Sequence, residues 1–174
     1  MFGLIADNVY CGGVQQPHRF ILIERMIKMA VEYSYIPSQI VAQGENVLFL
    51  NGNRCCKKGL IIHNDSSGVF RVKGVSNCCK TIYKVHFNAN VAIAPADEGG
   101  VVEPISIALT QNGEVLQNAV AIVTPVAIGD FWGVSFETFI ELPCGCCDTI
   151  TVKNISDTTA IEVTNANLII DRVA

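Results

Sequence analysis

The chain has 174 residues, half of them hydrophobic and only 16% charged, with a formal net charge of −4. That length suits one domain with a substantial core, since a chain near 150 residues buries about 70% of the surface its unfolded form exposes. The acidic balance and the scatter of its 12 basic residues exclude a nucleic-acid binder built on a Lys/Arg stripe, and no window approaches the roughly 18 apolar residues of a membrane span.

So few charges leave surface for other subunits to cover. The first residues, MFGLIADNVY, lack the basic and long apolar regions of a secretory signal, so first folding is expected in a reducing cytoplasm. Residues 1–28 differ from the rest: Gly12, Gly13 and Pro17 interrupt two apolar runs, 2–5 and 20–23. They read as an N-terminal arm or upstream extension, because Met29-Ala30-Val31 resembles an ordinary start. A short helix over 19–29 fits as well, with Phe20, Ile23 and Ile27 on one face. Phe2, Leu4, Ile5, Phe20, Leu22 and Ile23 need a surface to bury against, so the arm is expected to dock on a neighbouring subunit or shell.

From residue 29 the chain reads as one β domain to residue 174. VEYSYI, a Pro37-Ser38 turn, 39–42 and 45–50 are strand-like, closed by Asn51-Gly52-Asn53. Residues 59–63 and 68–73 form a hairpin around the turn-rich 64–68, bracketed by Cys55-Cys56 and Cys78-Cys79. In 81–94 (TIYKVHFNANVAIA) apolar residues occupy every odd position from 83 to 93, which predicts a long strand burying Tyr83, Val85, Phe87, Ala89, Val91 and Ile93. After a polar loop at 95–104, residues 105–111 alternate again. Asn112-Gly113 supplies a type I′ hairpin turn into 114–123. Residues 130–142 alternate with Trp132, Val134, Phe136, Ile140 and Leu142 in phase. Residues 148–153 and 160–173 complete the pattern, and a phase slip between Val163 and Ala166 predicts a bulge near Asn165. Eight to ten strands with no helix after residue 30 predict an all-β, antiparallel jelly-roll sandwich.

No catalytic constellation emerges. His18, His63 and His86 stand in no motif; His86 falls on the polar face of the long strand. Glu137 and Glu141 share a strand face as a nominal carboxylate pair, but two acids on the wet side of a strand are commonplace. Asp97, Glu98 and Glu103 lack regular calcium-ligand spacing. The sequons at Asn64 and Asn154 carry no weight without export. No cofactor and no enzymatic activity are expected. Phe131 and Phe139 are the aromatic pair placed on an outward strand face, thin support for a carbohydrate-binding module.

Of eight cysteines, Cys11 stands alone and the others cluster as Cys55-Cys56, Cys78-Cys79 and Cys144-Gly145-Cys146-Cys147. Three readings stay open: half-buried thiols, disulfides or crosslinks formed after release from the cell, and a metal held by Cys55, Cys56, Cys78, Cys79, Cys144, Cys146 and Cys147. The metal reading is weakened by Cys-Gly-Cys spacing tighter than that of zinc knuckles. Paired clusters would fasten loops at one end of the sandwich.

The segment ISIALTQNGEVLQNAVAIVTP, followed by a long apolar strand and DTITVKNISDTTAIEVTNANLIIDRVA, resembles the closing strands of trimeric jelly-roll heads of the tumour-necrosis-factor and bacterial collagen-like type. MAVEYSYIPSQIVAQGENVLF, with the paired cysteines, resembles small proteins encoded in prophages of anaerobic Gram-positive bacteria. The likeness covers 29–174; residues 1–28 lie outside it, and the cysteines depart from the collagen-like heads. It implies a homo-oligomer, a trimer first, acting as a decoration, accessory or fibre-head subunit of a virion made in the host cytoplasm. Residues 1–28 would then contact a neighbouring virion or surface-layer protein. The alternative is a bacterial surface or spore-appendage subunit crosslinked through cysteines such as Cys11.

Overall fold

A computed structural model describes residues 29–50, 59–75, 79–95, 102–157 and 160–173. The described residues form strands and connections, with no helix. Residues 1–28, with the proposed arm or 19–29 helix, and the turn at 51–53 lie outside the description, apart from the backbone of Met29.

Ten strands are present: β1 (Met29–Tyr35), β2 (Gln39–Val41), β3 (Ile61–His63), β4 (Val69–Lys73), β5 (Lys80–Ile93), β6 (Ile105–Gln111), β7 (Glu114–Val123), β8 (Trp132–Pro143), β9 (Cys147–Asn154) and β10 (Ile161–Arg172). They make two five-stranded antiparallel sheets. Sheet A runs β1-β10-β5-β8, with β2 also on β10, and sheet B runs β3-β4-β9-β6-β7. The expected jelly roll is what forms.

Local chemistry explains the connections. Asn112 and Gly113 both take positive φ, 52° and 89°, as the β6–β7 hairpin turn demands. The predicted bulge falls where the phase slips: the β10–β5 register shifts between Thr164 and Asn167, and Asn165 sits at φ 51°. That bulge divides β10 between two partners, β1 on residues 166–172 and β2 on 161–163. The Pro37-Ser38 turn carries the chain from one to the other.

The core lies between the sheets. β5 turns Tyr83, Val85, Phe87, Ala89 and Val91 inward, all essentially buried, against Phe70, Val72, Ile150 and Val152 of sheet B. Aromatic rings cross the sandwich in series: Tyr33 to Phe70 at 4.7 Å, Phe70 to Phe49 at 5.4 Å, Phe49 to Phe87 at 6.5 Å and Phe87 to Phe136 at 5.1 Å between centroids. Most are edge-on, the arrangement favoured by the ring quadrupole. His63 joins them, stacked on Phe70 at 4.2 Å with Nε2 at 2.8 Å from the Ser67 carbonyl; it is a core residue that holds the β3–β4 turn. Burial raises the Tyr83 phenol above its ordinary pKa of 10.0, outweighing the lowering influence of Arg172, and its hydroxyl donates to the Lys73 carbonyl at 2.6 Å. The stability this neutral phenol confers is present below about pH 10 and is lost as pH rises through the folded-state value.

Two expectations are corrected. Residues 45–50 form no strand; they touch sheet B through isolated bridges, Asn46 to Lys153 and Phe49 to Ser67. The segment occupies the edge of β9 only beyond Thr151, the residue opposite which β4 begins, with Val47 N–H donating to the Val152 carbonyl at 2.8 Å. Its apolar side chains Val47 and Phe49 are buried as the pattern implied, but the room along β9 is too short for a ladder. Trp132 is in phase with the buried face of β8 yet 42% exposed, because β8 begins there, at the open end of the sandwich.

Asn154 ties the sheets together. Fully buried on β9, it donates from Nδ2 to the Val41 carbonyl of β2 at 3.1 Å and accepts from the Ser156 N–H at 3.0 Å. Its sequon is therefore occupied by structure. Asn154→Ala is expected to cost about 1–3 kcal/mol, the penalty of unpairing buried polar groups, read as a lower urea midpoint at unchanged m-value.

Candidate interaction surface

Alternation along β8 sends Val134, Phe136, Thr138, Ile140 and Leu142 inward and leaves Ser135, Glu137, Phe139 and Glu141 on the outer face of sheet A. Register aligns rows across this face. Ala30, Asp171, Lys84 and Phe139 form one row; Glu32, Ile169, His86 and Glu137 the next; Ser34, Asn167, Asn88 and Ser135 a third. Lys84 Nζ lies 2.8 Å from Glu137 Oε2, and His86 Nδ1 lies 3.7 Å from the same oxygen. Lys80 contacts Glu141 at 3.0 Å. Such exposed pairs contribute little stability, roughly 0–1 kcal/mol. Glu137 and Glu141, the nominal carboxylate pair, each face their own lysine.

Open depressions mark the face among the described residues. One, of about 320 Å³, is lined by Ala30, Lys84, His86, Glu137, Ile169 and Asp171. Another, of about 440 Å³, lies over Asn88, Asn90, Gly133, Ser135 and Asn165. Two side-chain oxygens on this face, Asn167 Oδ1 and Asp171 Oδ1, are buried with no hydrogen-bond partner among the described residues.

Next to the face is an open flank. β7 ends sheet B and β8 ends sheet A on the same side of the sandwich, tied by Asn118 Nδ2 donating to Thr138 Oγ1 at 2.9 Å. This flank and its connecting loop expose Ile122 (68%), Val126 (78%), Phe131 (47%) and Phe139 (58%). Phe131 precedes β8, so the expected pairing of Phe131 with Phe139 on one strand face is corrected: only Phe139 stands on the strand.

The remaining sequence candidates disperse. Cys79, Cys144, Cys146 and Cys147 are exposed at one end of the sandwich; Cys11, Cys55, Cys56 and Cys78 lie outside the described residues, as do His18, Asp97 and Glu98. Among the described residues no three His, Cys, Asp or Glu side chains converge as a metal site requires. Glu103 stands just before β6, and Asn64 is exposed in the β3–β4 turn. The cross-strand cluster of Lys84, His86 and Glu137 was not anticipated; finding it needs the β5–β8 register, which alternation alone does not supply.

No protein-family model matches the sequence, and no curated protein matches it. Solved structures do match in fold. They include the Eiger TNF from S. frugiperda (TM-score 0.60, 11% identity, 84% of this chain and 93% of that chain) and murine APRIL (TM-score 0.55, 14% identity, 83% and 100%). The globular domain of a zebrafish complement 1qA protein also matches (TM-score 0.50, 12% identity, 79% and 94%). The chain is thus an all-β jelly-roll sandwich of the kind these tumour-necrosis-factor and complement heads share.

Proposed function

We propose that the chain is a non-enzymatic structural subunit that assembles as a homotrimer, each copy seating its β7–β8 flank on the outer face of sheet A of the next. The observation that carries this reading is the flank itself, where Ile122, Val126, Phe131 and Phe139 lie exposed beside two strand edges. Uncovered strand edges and contiguous apolar surface are what soluble monomers avoid.

The subunit's place is a phage particle, as a decoration, accessory or fibre-head protein, with residues 1–28 reaching a neighbouring virion protein. The support here is the likeness of 29–174 to small prophage-encoded proteins, together with the charge-poor composition.

Native mass of the full chain tests the assembly. A three-chain mass is expected, and Ile122→Glu with Phe139→Glu should reduce it to one chain with unchanged β circular dichroism. A one-chain mass for the wild type overturns the trimer. Antibody labelling of purified particles tests the location: label on virions supports it, whereas label confined to the cell or spore surface replaces it with the bacterial appendage reading.

A further inference from the structure

The β8–β9 turn is a thiol-bearing tip without charge. Pro143, Cys144, Gly145, Cys146 and Cys147 follow one another there, all exposed. Of the charged groups around these residues, Lys80 pairs with Glu141 at 3.0 Å, Asp148 accepts from the side-chain amides of Gln111 at 2.6 Å and Asn112 at 2.9 Å, and Lys73 stands opposite Cys147 in the β4–β9 ladder. Register brings Cys79 to the same end, since Lys80 pairs with Pro143 as the final step of the β5–β8 ladder.

The tip is held in place. Cys146 N–H donates to the Pro143 carbonyl at 3.1 Å, Gly145 takes φ 69°, and the Cys146 carbonyl accepts the Gly74 N–H at 2.7 Å. Cys147 is locked in register opposite Lys73. Cysteine is ordinarily among the most buried residue types, yet Cys146 and Cys147 are free and exposed. Neighbouring residues entering a strand project to opposite sides, so these two thiols point apart and do not suit one another as partners.

We propose that this tip is a covalent docking site for the same tip of a second copy, joined by disulfides through Cys146 and Cys147. An identical tip presents the same thiols, and residues 143–147 carry no charge of their own, so two copies meeting across a two-fold axis bring like thiols together. In the chemistry, a Cys146 or Cys147 thiolate attacks a low-molecular-weight disulfide such as oxidised glutathione and releases one reduced glutathione. The thiolate of the second copy then attacks the protein sulfur of the mixed disulfide and releases the other. Two protein thiols and one oxidised glutathione become one interchain disulfide and two reduced glutathiones. The reducing cytosol keeps the tip open, and the bond forms after release. The proposal is independent of the trimer and of the virion: it concerns the end of the sandwich, not its flank.

Full-length protein, half of it ¹⁵N-labelled, is reduced, mixed and exposed to glutathione redox buffers. It is then analysed by non-reducing electrophoresis and by mass spectrometry of its peptides. The expected product is a species of twice the chain mass, abolished by dithiothreitol, whose linked peptides contain Cys146 or Cys147 and carry mixed labels. Cys146→Ser with Cys147→Ser should lose that species. Linked peptides of a single label only, glutathionylated single chains only, or undiminished crosslinking in the double variant would each overturn the proposal. The labelled peptides of the wild type decide the matter even if the double variant does not fold.

Discussion

Phe87→Ala lowers the unfolding free energy by about 3–5 kcal/mol, the usual consequence of truncating a buried aromatic ring. Phe87 sits midway along β5, fully buried, with Phe136 at 5.1 Å on its own sheet and Phe49 at 6.5 Å from the 42–50 segment. Both flanking strands of sheet A are fixed by long ladders to β5, so the walls cannot close on the void, and the cavity adds to the lost transfer energy. Against a domain stability of roughly 5–15 kcal/mol, the loss is a large fraction. Urea unfolding followed by the single tryptophan, Trp132, gives the difference directly. Phe136→Ala, at 8% exposure, should cost somewhat less. A loss below about 1 kcal/mol at both positions would mean that the inward faces of β5 and β8 have been misassigned.

Those faces were legible because each rests on a local signal. From 83 to 93 the odd positions are apolar without a break, and period two has one structural meaning. Asn112-Gly113 named its turn from the φ values it tolerates, and the slip at Asn165 named its bulge. What escaped depends on groups far apart in the chain. Residues 45–50 carry the alternation of a strand but find only a short stretch of β9 free, and Trp132 keeps its phase while the sandwich ends around it. His63 stands in no motif, and its place in the core shows only once Phe70 and Tyr33 are beside it. The interaction surface was the least legible part. The rows of Lys84, His86 and Glu137 exist only once β5 and β8 are in register, and an exposed flank can be recognised only after β7 and β8 prove to end their sheets. The clustering of the cysteines along the chain was plain, but that Cys79 and the 144–147 group share one end follows from the ladder that sets Lys80 opposite Pro143.

Two glycines show how far such a contact lies from any sequence rule, and one gives the second large effect. A Cβ on Gly68 would meet the Asn46 Cβ at 2.5 Å and the Val47 carbonyl oxygen at 2.8 Å, so this residue lets the 42–50 segment press against the β3–β4 hairpin. At Gly74 the conflict is sharper: a Cβ would stand 2.3 Å from the Pro143 carbonyl oxygen and 3.3 Å from the Gly145 nitrogen. Both obstacles are backbone, so no side-chain rotation relieves them, and the end of β4 must move off the β8–β9 turn. That movement breaks the 2.7 Å bond from Gly74 N–H to the Cys146 carbonyl and strains the adjoining bond from Lys73 N–H to the Leu60 carbonyl at 2.8 Å. Overpacking costs typically about 1–3 kcal/mol and a lost hydrogen bond about 1 kcal/mol more, so Gly74→Ala is expected to destabilise the fold by about 2–4 kcal/mol. Hydrogen exchange separates this from a general weakening. The amides of Gly74 and Cys146 should lose protection first, while those of β5 and β10 in the opposite sheet follow only global unfolding. A Gly74→Ala protein with wild-type stability and intact protection at both amides would show that β4 and the turn do not approach as closely as described.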